Sequence, residues 1–120
     1  MTEEQEIEIQ LFSAVKAGPY LVVPMQMIDK LMAELSGNEF KVLMFIYRKT
    51  IGWQKDMDRI SFNQIHTATG IKSKDTVRSA LDGLIDEGLI LRNRYSRREI
   101  SEYRLNIDYS IKVRVRQRED

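Results

Sequence analysis

The stretch SFNQIHTATGIKSKDTVRSALDGLIDEG, residues 61–88, contains the strongest structural signal in the chain. Ser61 and Gln64 have the spacing of a capping box, which predicts the start of a short helix. Gly70 ends that helix, and Ser73 is a good N-cap for a second, longer one. Two helices joined by so short a turn predict a helix-turn-helix, whose second helix has protruding N-terminal turns.

The turn itself has the residues that a sharp helix crossing requires. Gly70 can adopt a positive φ, and the apolar Ile71 is expected to pack between the two helices. The second helix extends from Lys74 to about Glu87 and has one apolar stripe, so it is expected to lie against the body of the protein along that stripe. The stripe consists of Val77, Ala80, Leu81, Leu84 and Ile85.

The segments around these helices complete a larger pattern. Apolar spacing predicts helices over residues 3–16, 25–35 and 40–50, the last of them largely buried, with Trp53 as a packing anchor after it. After Gly88 the period changes to two, which predicts strands over residues 89–95 and 100–107. The predicted fold class is mainly α with a C-terminal β-hairpin, a winged helix-turn-helix. Residues 110–118 also alternate and fit either a third strand or a basic tail.

This pattern predicts three parts of the chain. Residues 1–17 form an acidic N-terminal helix or extension, whose apolar positions include Ile7, Leu11 and Val15. Residues 18–109 form the winged-helix DNA-binding domain, and residues 110–120 form a basic tail or an extra strand. The acidic helix is a candidate surface for a homodimer or for a partner protein.

The formal net charge of +1 conceals a polarised chain. Residues 1–40 contain two basic and seven acidic residues, whereas residues 41–118 contain seventeen basic and nine acidic ones. Arginine dominates the basic positions after residue 91, and its fork of donors suits phosphate. Double-stranded DNA is therefore the expected partner of the second part of the chain.

Several other functions are disfavoured by composition. The chain has no Cys and one His, which argues against a zinc finger, any other metal site and a disulfide framework. We find no phosphate-binding loop and no convincing catalytic group, so we expect neither an enzyme nor a cofactor. The acidic N-terminus and the short apolar runs predict no membrane segment and a cytoplasmic location.

The predicted DNA-binding residues lie on the second helix and around the hairpin. Lys74 and Arg78 are expected to contact bases in the major groove, where Arg or Lys can donate to guanine. Arg97 and Arg98, at the tip of the hairpin, are expected to contact phosphate or the minor groove and so to position the domain. The predicted recognition-helix residues are Ser73, Lys74, Asp75, Thr76, Arg78 and Ser79, and those of the wing and its flanks are Lys72, Arg94, Ser96, Arg97 and Arg98.

Residues 36–90 resemble the N-terminal domain of the phage replication protein O family. The similarity rests on Arg48-Lys49-Thr50 with Gly52-Trp53, on Asp58-Arg59-Ile60-Ser61, on Thr69-Gly70 with Thr76-Val77, on Gly88-Leu89-Ile90, and on Val23-Pro24 upstream. The resemblance implies a winged-helix domain that binds repeated sites at a replication origin, commonly as a dimer, to begin DNA replication in a bacterial or phage-infected host cell.

Family members continue into a linker and a domain that recruits the replicative helicase. The 120 residues end before such a domain, so we do not expect them to recruit a helicase or loader unless the acidic N-terminal helix does so. Two alternatives to origin binding remain: a winged-helix transcriptional regulator that represses from an operator, and a protein-interaction module of a replication complex.

Overall fold

The computed structural model describes residues 5–13, 18–94 and 100–113. These ranges contain four helices and one three-stranded antiparallel sheet. Helix α1 consists of a π-helical stretch, Met27–Leu31, and an α-helical turn, Met32–Glu34. The other elements are α2 (Gly37–Lys49), β1 (Asp58–Ser61), α3 (Phe62–Thr69), α4 (Lys74–Asp86), β2 (Ile90–Arg94) and β3 (Ile100–Leu105). Short 3₁₀ turns occur at Leu11–Ser13 and Ile51–Trp53.

Helix α2 is the central helix of the core, as predicted. It begins with a capping box in which Ser36 Oγ accepts from the Glu39 amide at 3.1 Å and Glu39 Oε1 accepts from the Ser36 amide at 2.9 Å. Val42 and Ile46 are fully buried. Helix α4 packs against α2 and contributes the stripe Val77, Ala80, Leu81 and Leu84, all buried. Together these two helices form the centre of the hydrophobic core.

The sheet has the strand order β1-β3-β2. Strand β2 pairs with β3, with Arg92 opposite Tyr103, so the predicted hairpin pairing is confirmed. Strand β1, which the sequence did not predict as a strand, pairs antiparallel with β3 and places Ile60 opposite Ser101. Residues 110–113 form no strand, and residues 114–120 lie outside the described ranges. The third strand of the sheet therefore comes from before α3 rather than from the C-terminus.

The predicted helix over residues 3–16 is not present in its described part. Residues 5–10 form neither helix nor strand, and only Leu11–Ser13 makes a 3₁₀ turn. Ile7, Leu11 and Phe12 are 80%, 66% and 86% exposed. An isolated helix of this length is marginal in water, and these side chains have no core to pack against. The prediction failed because helical spacing stabilises a helix only when its apolar face is covered.

The buried positions of α1 also differ from the prediction. Apolar spacing over residues 25–35 predicts a stripe of Met25, Ile28, Leu31, Met32 and Leu35. Leu31 is buried, but Met25, Ile28 and Met32 are about half or more exposed, and Met27, outside the predicted stripe, is buried. The π-helical stretch Met27–Leu31 changes the angle between successive side chains, so the face that meets the core is not the one that a regular α-helical period gives.

Trp53 is not the packing anchor that the sequence predicted, because it is 59% exposed. Its ring lies beside Arg48, whose guanidinium carbon is 4.9 Å from the ring centre. The arginine side chain runs past Gly52, where an added Cβ would come within about 3 Å of it. Gly52 thus leaves room for a surface cation–π pair, and the core is closed without the indole.

The segment before α1 is attached to α2 by a tyrosine. The Tyr47 hydroxyl donates to the Val22 carbonyl oxygen at 2.7 Å. Tyr47 is buried, and this burial raises the pKa of its phenol. The neutral hydroxyl is therefore the form that the fold favours, and it connects residues 18–24 to the core.

Candidate nucleic-acid interface

The connection between α3 and α4 has the geometry that its residues predict. Gly70 follows α3 with a φ of 70°, in the left-handed region that favours glycine, and Ile71 is buried between the helices. Ser73 is the N-cap of α4, and its Oγ accepts from the Thr76 amide at 3.3 Å. The short connection and the cap leave the first turns of α4 at the surface.

The first turns of α4 have an apolar face and a polar face. Val77 is fully buried, whereas Lys74, Asp75, Arg78 and Ser79 are exposed. Ser73 is also exposed, and Thr76 is half-buried at the boundary. The structure therefore brings all six residues predicted for the recognition helix together on or next to one exposed surface.

Arg78 lies between two neighbours on this surface. Its guanidinium is 3.3 Å from the Asp75 carboxylate, and its Cζ is 4.7 Å from the centre of the Phe62 ring. The Phe62 ring is buried, and it is nearly parallel to the His66 ring, with 6.4 Å between their centres. The contact with Phe62 could not be read from the sequence, because it depends on the angle at which α3 and α4 cross.

His66 has a structural role that its position in the sequence did not suggest. It is half-buried on α3, and its Nε2 lies 3.0 Å from the Lys72 carbonyl oxygen. A carbonyl oxygen only accepts, so Nε2 must donate a hydrogen. The imidazole thus bridges α3 to the residue before the cap of α4.

Further basic groups lie on the hairpin and in the turn before α4. Arg94, the last residue of β2, and Lys72 are both exposed. Arg92 is 3.6 Å from Asp82 of α4, a bridge that fixes β2 against that helix and gives Asp82 a structural partner. Ser96, Arg97 and Arg98, predicted for the wing, lie outside the described residues. Among the described basic groups of the hairpin, Arg92 is thus joined directly to α4.

A scan against protein families matches residues 15–110 to the model described as "Bacteriophage replication protein O". The chain belongs to the phage replication protein O family. Within this family, the "Replication protein O" of Escherichia phage lambda is 48% identical over 42 residues, which are 35% of this chain and 13% of the relative. The match thus spans a small part of that relative's length. No solved structure gives a significant match.

The described part of the chain has no candidate membrane span and no candidate metal cluster. None of its described helices is long and apolar enough to cross a membrane. In the same ranges, no three His, Cys, Asp or Glu residues are grouped closely enough to hold a metal ion.

Proposed function

We propose that this chain binds double-stranded DNA sequence-specifically at a phage or plasmid replication origin and acts in the initiation of DNA replication. In this proposal the fold is a winged helix-turn-helix, α3 and α4 are its helix pair, and the β2–β3 hairpin is its wing. Membership of the replication protein O family supports the role in replication.

The observation that carries the proposal is the polar surface at the start of α4. An α-helix fits the major groove, and Lys74 and Arg78 bear the donors that guanine O6 and N7 accept. Lys74 is exposed, and Arg78 is held at the surface by Phe62 and Asp75. Because α4 is anchored in the core by Val77, its first turns form a rigid reading surface.

The hairpin supplies the positioning contacts in this proposal. Arg94 at the end of β2 and Lys72 in the turn before α4 are exposed, and Ser96, Arg97 and Arg98 follow β2 in the chain. Cationic contacts to phosphate set orientation and affinity without sequence information. The chain acts through binding and has no catalytic role or cofactor. A homodimer and a replication partner such as a helicase or loader remain candidate protein partners.

The test is a selection of duplexes from a random library, followed by binding titrations across salt concentrations. Affinity should fall steeply between about 50 and 200 mM salt because bound phosphates release counterions. Lys74→Ala should weaken binding, and the matched control Lys30→Ala, on α1 in a pair with Glu34, should not. A flat salt response would overturn the proposal. Selected sequences that map to repeats near replication genes favour an origin, and sites at promoters favour a regulator.

A further inference from the structure

The N-terminal segment, residues 5–10, alternates between acidic and apolar residues but forms no strand. Its sequence QEIEIQ places Glu6 and Glu8 on one side of an extended backbone and Ile7 and Ile9 on the other. Ile7 and Ile9 are 80% and 68% exposed, and the segment pairs with no strand. The family match begins at residue 15, so the segment lies outside the part shared with that family model.

Strand β2 is an edge strand of the sheet. It pairs with β3 on one side, and within the described ranges no strand pairs with it on the other. An edge strand presents backbone donors and acceptors that can take a further strand. This edge is therefore a site for strand addition, in which backbone hydrogen bonds give affinity and alternate side chains give specificity.

The side chains of β2 complement those of the N-terminal segment on both faces. Leu91 stands opposite the exposed Arg104 and is itself 46% exposed. Arg92 and Arg94 stand opposite residues of β3 that are buried, so they lie on the other face. A strand that places an isoleucine beside Leu91 places its glutamates on the face of Arg94 and of Arg92, which already pairs with Asp82. One register therefore brings an isoleucine against Leu91 and a glutamate against the exposed Arg94.

We propose that the N-terminal segment adds to the β2 edge of a second copy of this chain as a fourth strand. Two copies related by a two-fold axis can exchange segments and form this contact twice. The proposal does not depend on DNA binding. It pairs the acidic segment with an edge that carries Arg94 and brings an isoleucine against the half-exposed Leu91.

A cross-linking experiment tests the contact between copies. The chain has no cysteine, so each introduced thiol is unique. Copies with Ile7→Cys or Ile9→Cys are each mixed with copies carrying Leu91→Cys and oxidised without DNA. Adjacent strands have Cα separations that a disulfide can span, so at least one mixture should give a linked heterodimer. Ala68→Cys, exposed on α3, is the matched control for Leu91→Cys. No linked product, or equal linkage to Ala68→Cys, would overturn the proposal.

A second experiment measures self-association by sedimentation equilibrium. Ile9→Pro should abolish the dimer, because proline removes a ladder donor, whereas Ile9→Val should retain it. Glu8→Arg and Arg94→Glu should each weaken self-association about tenfold or more, and mixing the two should restore it, since each cation then meets an anion. A monomeric parent chain, an unchanged Ile9→Pro dimer or a failure of the mixture to associate would contradict the proposal. If the two charge changes compensated each other only within one monomeric chain that carries both, the segment would pair with β2 of its own chain. That result would overturn the exchange between copies.

Discussion

The guanidinium carbon of Arg78 lies 4.7 Å from the centre of the Phe62 ring, so a side chain of α4 rests on the first residue of α3. Asp75 holds the same guanidinium from within α4, at 3.3 Å. A free arginine side chain loses about 2 kcal/mol of rotamer entropy when it is fixed, and these contacts offset part of that cost before any ligand binds. Phe62 and Asp75 therefore hold the guanidinium of Arg78, with its fork of N–H donors, at the exposed surface.

Replacing Arg78 tests whether this residue reads bases. Arg78→Ala should lower the discrimination between selected and random duplexes by about 1–3 kcal/mol, which is the contribution of one bidentate contact to guanine. The combined change of Arg97 and Arg98 to Ala should instead weaken binding to all duplexes alike. Competition titrations with both duplex classes measure the difference. A uniform loss for Arg78→Ala would assign it a positioning role.

Replacing Asp75 with Asn removes a negative charge from the proposed interface and one support of Arg78. Affinity for random duplexes should rise a fewfold at low salt, since less charge repels phosphate, and discrimination between sites should fall. Asp86→Asn, at the exposed C-terminal end of α4, is the matched control. Anisotropy titrations at two salt concentrations measure both effects. Equal behaviour of the two variants would refute a specific role for Asp75.

Gly83 and Glu39 are expected to be energetically coupled. A Cβ at Gly83 would overlap the Glu39 carboxylate, which is held in the capping box of α2. In a Glu39→Ala background, Gly83→Ala should stabilise the protein by up to about 1 kcal/mol through helix propensity. In the parent chain that gain should be cancelled or reversed by the loss of the cap, about 0.5–2 kcal/mol. Urea unfolding of the four proteins measures the coupling, and additive free energies would exclude it.

Tyr47→Phe should remove the hydrogen bond to Val22 and lower the free energy of unfolding by about 0.5–1.5 kcal/mol. It should also change the pH dependence. Because burial raises the phenol pKa in the folded state, Tyr47 contributes full stability below its ordinary pKa of about 10 and loses that stability as the pH rises further. Unfolding between pH 8 and 11 should therefore show a steeper alkaline loss for the parent chain. Identical slopes would show that Tyr47 does not contribute.

The region from Ser61 to Asp86 was predictable because its signals are local. The capping box of Ser61 and Gln64, the positive φ of Gly70 and the cap at Ser73 all act within a few residues, and each occurs where the sequence indicates. The apolar stripe of α4 is long enough to define one face. Short-range chemistry thus determined both helices and the turn between them.

The errors occurred where tertiary contacts decide the outcome. Trp53 follows a helix whose buried face is already complete, so its ring remains at the surface beside Arg48. At the N-terminus, Ile7 and Leu11 fit a helical period while Ile7 and Ile9 fit a period of two, and the absence of a core contact leaves the helix unformed. The contact between Arg78 and Phe62 depends on the crossing of two helices, which no local pattern specifies.

The pairing of β1 with β3 has a mechanical consequence. Ser61 stands opposite Ile100 in this pairing, and Ser61 is also the N-cap of α3. Helices α3 and α4 therefore lie in a chain segment whose two ends are joined by hydrogen bonds between β1 and β3, rather than being attached through a single strand. A load applied where the chain enters β3 reaches the start of α3 through the four residue pairs that join β1 to β3. The helix pair and the hairpin should consequently resist such a load together.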